Sequence, residues 1–162
     1  MHYGIMDSQN QGIKNMQNGL VAKASVNINA PLTHVWDALI NPEMIRQYMF
    51  STEVVSTWKE GSPIIWKGIW QGKSYQDKGV IIKFELYKTL VYTHFSALSG
   101  LLDVPKNYHT LTFELSTQDG ITSVTLSQDN NSNEKARDHS QQMWKTVLTG
   151  LKEFVEKSGN TP

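Results

Sequence analysis

Between Val54 and Leu126 the chain consists mostly of short runs in which apolar residues recur at every second position, separated by turn-forming residues. A period of two marks strands with one buried face, and strands joined by tight turns pair antiparallel without crossover helices. Asp119-Gly120 is the sharpest of the turns, because a two-residue hairpin asks for positive φ at both positions. Val54 and Val55 open a short strand, Glu60-Gly61-Ser62-Pro63 breaks before another from Ile64 to Gln71, and Gly72-Lys73 forms a hairpin tip. Val80, Ile82, Phe84 and Leu86 then share one face of a strand, and Leu90, Tyr92 and His94 share one face of the next. His109, Leu111, Phe113 and Leu115 repeat the pattern, and Val124 and Leu126 follow in the last strand. Upstream, Ala22, Ala24, Val26, Ile28 and Ala30 alternate with polar residues in a first strand, which raises the predicted number to as many as seven.

Helical periodicity interrupts this pattern twice. After Pro31, whose ring presets a helical φ, the residues Leu32, Val35, Trp36, Leu39 and Ile40 form one apolar stripe. Asn41-Pro42 ends that helix and supplies the cap and first position of a second short one, through about Tyr48. The polar stretch from Asp129 to Asn133 caps a long last helix, from about Glu134 to Lys157, and Ser158-Gly159 closes it. Its first half is polar, whereas Met143, Trp144, Val147, Leu148, Leu151, Phe154 and Val155 crowd the second. The predicted class is α+β: a curved antiparallel sheet of six to seven strands around a long C-terminal helix, with two short helices between strands 1 and 2. A twisted sheet of this width curls, and a helix laid across its concave side leaves a hollow at one end.

Composition narrows the partners. A length of 162 residues suits one domain, placed at residues 20–158. Residues 1–19, rich in Asn, Gln and Gly, read as a flexible tail in which Met1, Met6 and Met16 are alternative starts, and 159–162 read as a short C-terminal tail. Fifteen basic residues balance fifteen acidic ones, so no net field recruits nucleic acid or an anionic membrane. Cysteine is absent, which removes disulfides, thiolate metal sites and thiol nucleophiles and suits the cytoplasm. No apolar run reaches the roughly 20 residues that span a bilayer. Neither a Gly-rich phosphate loop, nor a nucleophile elbow, nor an HExxH pair occurs.

The candidate lining of the hollow is Trp66, Trp70, Phe84, Tyr92, His94, His109, Leu111, Met143, Val147 and Leu151. Trp66 and Trp70 share a face with Gly68, which marks a bulge or a place where a ligand nears the backbone. His94 and His109 fall on sequential strands, in phase with buried neighbours, so antiparallel pairing brings them together. Such a pair hydrogen-bonds a carbonyl or phenol, or moves a proton near neutral pH. A metal needs a third ligand that no neighbouring spacing supplies, so neither a metal nor a cofactor is expected. The stretch 96–107, with Leu98, Leu101, Leu102 and Val104, reads as a lid over the mouth or as a loop packed on its rim.

Four segments resemble the helix-grip (START-like, SRPBCC) superfamily, in its single-domain branch similar to the activator of heat-shock protein 90 ATPase. They are VNINAPLTHVWDALINPEMIRQY at 26–48, KGVIIKFELYKTLVYTHF at 78–95, LTFELSTQDGITSVTLSQD at 111–129 and WKTVLTGLKEFVE at 144–156. The resemblance implies a hydrophobic pocket for a small lipophilic ligand, with the chain a monomer or homodimer. Alternatives it implies are a stress-linked co-chaperone acting on a heat-shock-protein-90-type ATPase and an enzyme of the polyketide cyclase or dehydratase kind. The family has no catalytic signature, so ligand binding without catalysis is the expectation. Segments of this family often end the fifth strand with Trp, where this chain has His94.

Overall fold

A computed structural model of the chain describes residues 19–159. The elements are β1 (Leu20–Ile28), α1 (Leu32–Ile40), α2 (Pro42–Tyr48), β2 (Glu53–Ser56), β3 (Pro63–Trp70), β4 (Lys73–Glu85), β5 (Thr89–His94), a 3-10 turn at Pro105–Asn107, β6 (His109–Gln118), β7 (Ile121–Asn131) and α3 (Glu134–Gly159). The seven strands form one sheet in the order β1-β7-β6-β5-β4-β3-β2, antiparallel at every step. From β2 to β7 each strand lies beside its predecessor, as connections without crossover helices allow. The α1–α2 excursion carries the chain from one sheet edge to the other. This is the predicted α+β helix-grip arrangement; apart from Gly19 and Gly159, the two predicted tails lie outside the described residues.

Local chemistry fixes the ends of these elements. The Asn41 side-chain oxygen accepts from the Glu43 N–H at 3.0 Å, and the Asn133 side-chain oxygen accepts from the Ala136 N–H at 2.8 Å, so both helices start on the caps their sequences offer. Asp119 and Gly120 adopt φ of 54° and 80°, the left-handed pair a tight hairpin needs. At the β3–β4 hairpin the pair is Gln71 and Gly72, one residue before the predicted Gly72-Lys73 tip, because Trp70 and Lys73 close the ladder across them.

Strand β4 departs furthest from expectation. It begins at Lys73, well before Val80, and its polar first half is held by main-chain pairing to β3, with Tyr75 opposite Gly68 and Asp77 opposite Trp66. The ladder to β5 shifts between Ile81 and Lys83, and the irregularity reverses which residues face inward. Ile81 is buried and Val80 and Ile82 turn outward, so the predicted face of Val80, Ile82, Phe84 and Leu86 is broken after Ile82. Gly79 marks the tightest approach of β4 to β5. A Cβ there would lie 1.6 Å from the Thr93 carbonyl oxygen, so no side chain fits.

Helix α3 covers the concave face, its second half sealing a core that includes Ile28, Trp36, Leu39, Leu126, Leu148 and Leu151. Thr122 is buried in the same region and donates its hydroxyl hydrogen to the Ala30 carbonyl at 2.7 Å, which ties β7 to the start of α1. Among the described residues, no helix is long and apolar enough to cross a membrane.

Candidate functional site

The two ends of α3 meet different surroundings. Toward its C-terminus, Lys152 donates to the Asn27 carbonyl at 2.9 Å and Glu156 accepts from the Asn29 N–H at 2.8 Å, which clamps the helix to the end of β1. The interior there retains only a void of about 20 Å³, walled by Leu39, Ile45, Leu90, Leu148, Leu151 and their neighbours. Toward the N-terminus of α3 the sheet and helix diverge around a cavity of about 200 Å³. Its walls are Trp66, Tyr75 and Asp77 from β3 and β4, Tyr92 and His94 from β5, Leu111 and Gln128 from β6 and β7, and Met143, Trp144 and Val147 from α3. Met49, Phe50 and Thr52, between α2 and β2, complete it. A wider depression between α2 and α3, lined by Arg46, Lys145, Glu153 and Lys157 among others, is open to solvent and charged. This mostly apolar cavity, half open to solvent, is the candidate site.

Of the residues expected to line it, Trp66, Tyr92, His94, Leu111, Met143 and Val147 come together there. Four do not. Trp70 keeps the alternation phase of Trp66 but is 58% exposed, because the β3–β4 hairpin carries it past the edge of the helix layer. Phe84 packs edge-on against Trp36 at 5.4 Å, at the closed end of the sheet. Leu151 is buried one turn too far along α3 and walls the small void. His109 sits directly across the ladder from His94, with the rings stacked at 6.5 Å, but lies past the cavity wall and donates from Nδ1 to the Asp129 carbonyl at 2.8 Å. The space above Gly68 holds the ring of Tyr75, whose hydroxyl would lie 2.5 Å from a Cβ at that glycine.

The polar groups of the cavity are few and ordered. His94 Nε2 lies 2.8 Å from Asp77 Oδ2, and the other carboxylate oxygen of Asp77 accepts the Ala97 N–H at 3.0 Å. The two side chains are only 26% and 13% exposed. Trp66 meets the His94 ring edge-on at 4.9 Å, holding it from the β3 side. Gln128 accepts from the Trp144 indole N–H at 2.7 Å and bonds Asn131 and Ser140 through its amide nitrogen, so β7 and α3 are joined across the cavity roof. Thr52 and Tyr75 share a hydroxyl bond of 3.1 Å. Burial pushes the Tyr92 phenol above its ordinary pKa, so it stays protonated. Burial and then the neighbouring Tyr92 do the same for Tyr48, which donates to the Ala38 carbonyl at 2.7 Å. Among the described residues no three metal-ligating side chains converge.

Several of these residues escaped the sequence reading, although their phase was available. Counting back by twos from Ile81 passes Gly79, Asp77 and Tyr75, and counting forward from Val124 and Leu126 reaches Gln128. Their polarity concealed an inward position that the period of two required. At the rim, Phe50 and Ser51 both take left-handed φ, 52° and 59°, and Phe50 is 59% exposed. Consecutive non-glycine residues in that region store strain of about 1–3 kcal/mol each, a feature that concentrates at binding sites. The loop 96–107 does not cover the mouth. Asp77 anchors its start, Lys78 and Tyr108 both bond Asp103, and Leu102 stands 76% exposed to solvent. It is a tethered rim whose leucines point away from the hollow.

This architecture is shared with solved structures. ChR145 from Cytophaga hutchinsonii is 50% identical, with a TM-score of 0.77 over 88% of this chain and 97% of that one. The Aha1 dimer from Colwellia psychrerythraea is 18% identical, with a TM-score of 0.66 over 85% of this chain and 96% of that one. CalU16 from Micromonospora echinospora is 17% identical, with a TM-score of 0.62 over 86% and 85% of the two chains. No curated protein matches the sequence. The model of the activator of Hsp90 ATPase homolog 1-like proteins matches residues 29–156, from the end of β1 to the last turns of α3. With that span and a half-identical relative of the same fold, the chain belongs to the activator of Hsp90 ATPase homolog 1-like family.

Proposed function

We propose that the protein binds a small hydrophobic or amphipathic molecule in the cavity between the sheet and the N-terminal half of α3. The observation that carries this reading is the contrast in packing: one end of the sandwich is filled, while the other keeps about 200 Å³ behind walls of Trp66, Tyr92, Leu111, Met143 and Trp144. Protein interiors close such volumes unless the shape has a use, since an empty hollow forfeits dispersion contacts. Burial of the ligand's apolar surface, at about 25 cal/mol per Å², supplies affinity, and His94, whose ring Asp77 holds, and Tyr92 supply orientation.

Thermal unfolding in the presence of single-ring aromatic compounds tests the proposal. A ligand at 100 times its Kd adds about 2.7 kcal/mol to stability, a shift of several degrees. Native mass spectrometry of freshly purified protein tests it independently by showing a retained small molecule. Absence of any shift with such compounds, together with a bare mass, would remove the reading.

The family description supports a second reading, in which the protein assists a heat-shock-protein-90-type ATPase, and the Colwellia relative is itself named as an Aha1 dimer. That reading predicts a higher ATPase rate when the protein is added to the purified chaperone. An unchanged rate at saturating protein excludes it.

A further inference from the structure

The polar inventory of the cavity narrows what it accepts. Gln128 is engaged at both its oxygen and its nitrogen, and the hydroxyls of Thr52 and Tyr75 are bonded to each other. Both oxygens of Asp77 are occupied, one by the Ala97 N–H and one by His94 Nε2. A carboxylate only accepts, so Nε2 carries the hydrogen, and in the singly protonated ring Nδ1 is the acceptor. No described residue bonds Nδ1. The Asp77 carboxylate beside it disfavours an anionic ligand, and a ligand group that meets Nδ1 as an acceptor is a donor.

Size and shape add a second limit. Roughly 150 Å³ of apolar cavity holds benzene in a well-characterised case. The volume of about 200 Å³ here takes one ring with small substituents within its walls. The rings of Trp66, Tyr75, Tyr92 and Trp144 offer flat apolar walls to such a ligand.

We infer that the cavity selects a single-ring aromatic compound, or a molecule of that bulk, whose hydroxyl group donates to Nδ1 of His94. Asp77 acts as a positioning residue that sets which ring nitrogen accepts. This inference rests on the cavity being the binding site proposed above.

Calorimetric or NMR titration with three probes tests it: para-cresol, toluene and the methyl ether of para-cresol. The wild-type protein should bind para-cresol about tenfold more tightly than either other probe, the value of one buried hydrogen bond. Asp77→Asn changes the tautomer. The Ala97 N–H still needs an acceptor, so the amide turns its oxygen there and its N–H₂ to Nε2, and the ring hydrogen moves to Nδ1. In that variant the preference for para-cresol over its methyl ether disappears or reverses, read as the ratio of the two affinities. His94→Leu, which removes both ring nitrogens, should also abolish the preference for para-cresol over its ether, which keeps the test decisive if the Asn variant folds poorly. Equal affinities of the wild type for para-cresol and its ether overturn the inference and leave the cavity intact as a site. Failure of all three probes to bind overturns the site and the inference together.

Discussion

The base and the mouth of the sheet–helix sandwich are built from the same strands and the same helix, yet one is filled and the other hollow. At the base, Trp36 and Leu39 from α1 and Ile45 from α2 enter as a third contributor between sheet and helix, and Leu148, Leu151 and Val155 close on them. At the mouth no helix intervenes. There the first half of α3 brings polar residues, with Ser140 and the Trp144 N–H tied to β7 through Gln128 and Asn131. A hydrogen-bonded strut holds two layers at a set separation, whereas apolar side chains draw them together until they touch. The hollow is therefore maintained by the polar network beside it.

The largest effect that tests this contrast is on stability. Leu151→Ala at the base should cost about 3–5 kcal/mol in urea unfolding, because the site is walled on all sides and cannot collapse. Met143→Ala at the mouth should cost less than about 1.5 kcal/mol, since that side chain already borders empty space. Equal losses would erase the distinction between the two ends.

Next comes the strut. Gln128→Leu removes the acceptor of a buried indole N–H and should cost about 1–3 kcal/mol while shrinking the cavity, seen as weakened ligand binding. Preserved binding in this variant would show that the network is not what keeps the layers apart. A smaller change in stability, within about 1 kcal/mol, is expected for Val147→Phe, which places a ring in existing space and should abolish ligand binding. Leu148→Phe, one residue along, has no such space and should destabilise instead.

The smallest effect concerns the rim. Hydrogen bonds from Lys78 and Tyr108 hold the Asp103 carboxyl below the usual carboxylate range. A carboxyl with a depressed folded pKa favours the tethered loop above its unfolded pKa, and that contribution is lost as pH falls through the folded value. The protection of amides in residues 96–107, read as exchange relative to the intrinsic rate at each pH, should therefore fall on acidification below the ordinary carboxylate range, and Asp103→Asn should abolish that fall. Because the pair is exposed, global stability should barely change.

Much of the fold was legible in the residues themselves. The period of two gave away the strands, Asn41, Asn133 and Asp119-Gly120 marked their own caps and turn, and the apolar half of α3 announced a buried face. Six of the ten residues read as lining the cavity meet there, because Tyr92, His94 and Leu111 share one alternation phase and Met143 and Val147 one helical turn. The failures have separate causes. Phe84 does face inward, turned there by the irregularity after Ile81, but at the closed end of the sheet, where it meets Trp36 and not the cavity. Trp70 kept the right phase beyond the reach of the helix. Asp77 was missed because Lys73–Lys78 contains little apolar signal, although the backbone ladder to β3 makes it a strand.

Periodicity and turn chemistry act over a few residues, so the succession of elements along the chain and the inward phase of most strands, though not of β4, were determined by the amino acids alone. The meeting of Asp77 with His94, seventeen residues apart, depended on the β4–β5 register and the close approach at Gly79. The cavity depended on more still. It is the volume left between surfaces whose separation is set by contacts elsewhere, and no local pattern encodes the distance between two packed layers.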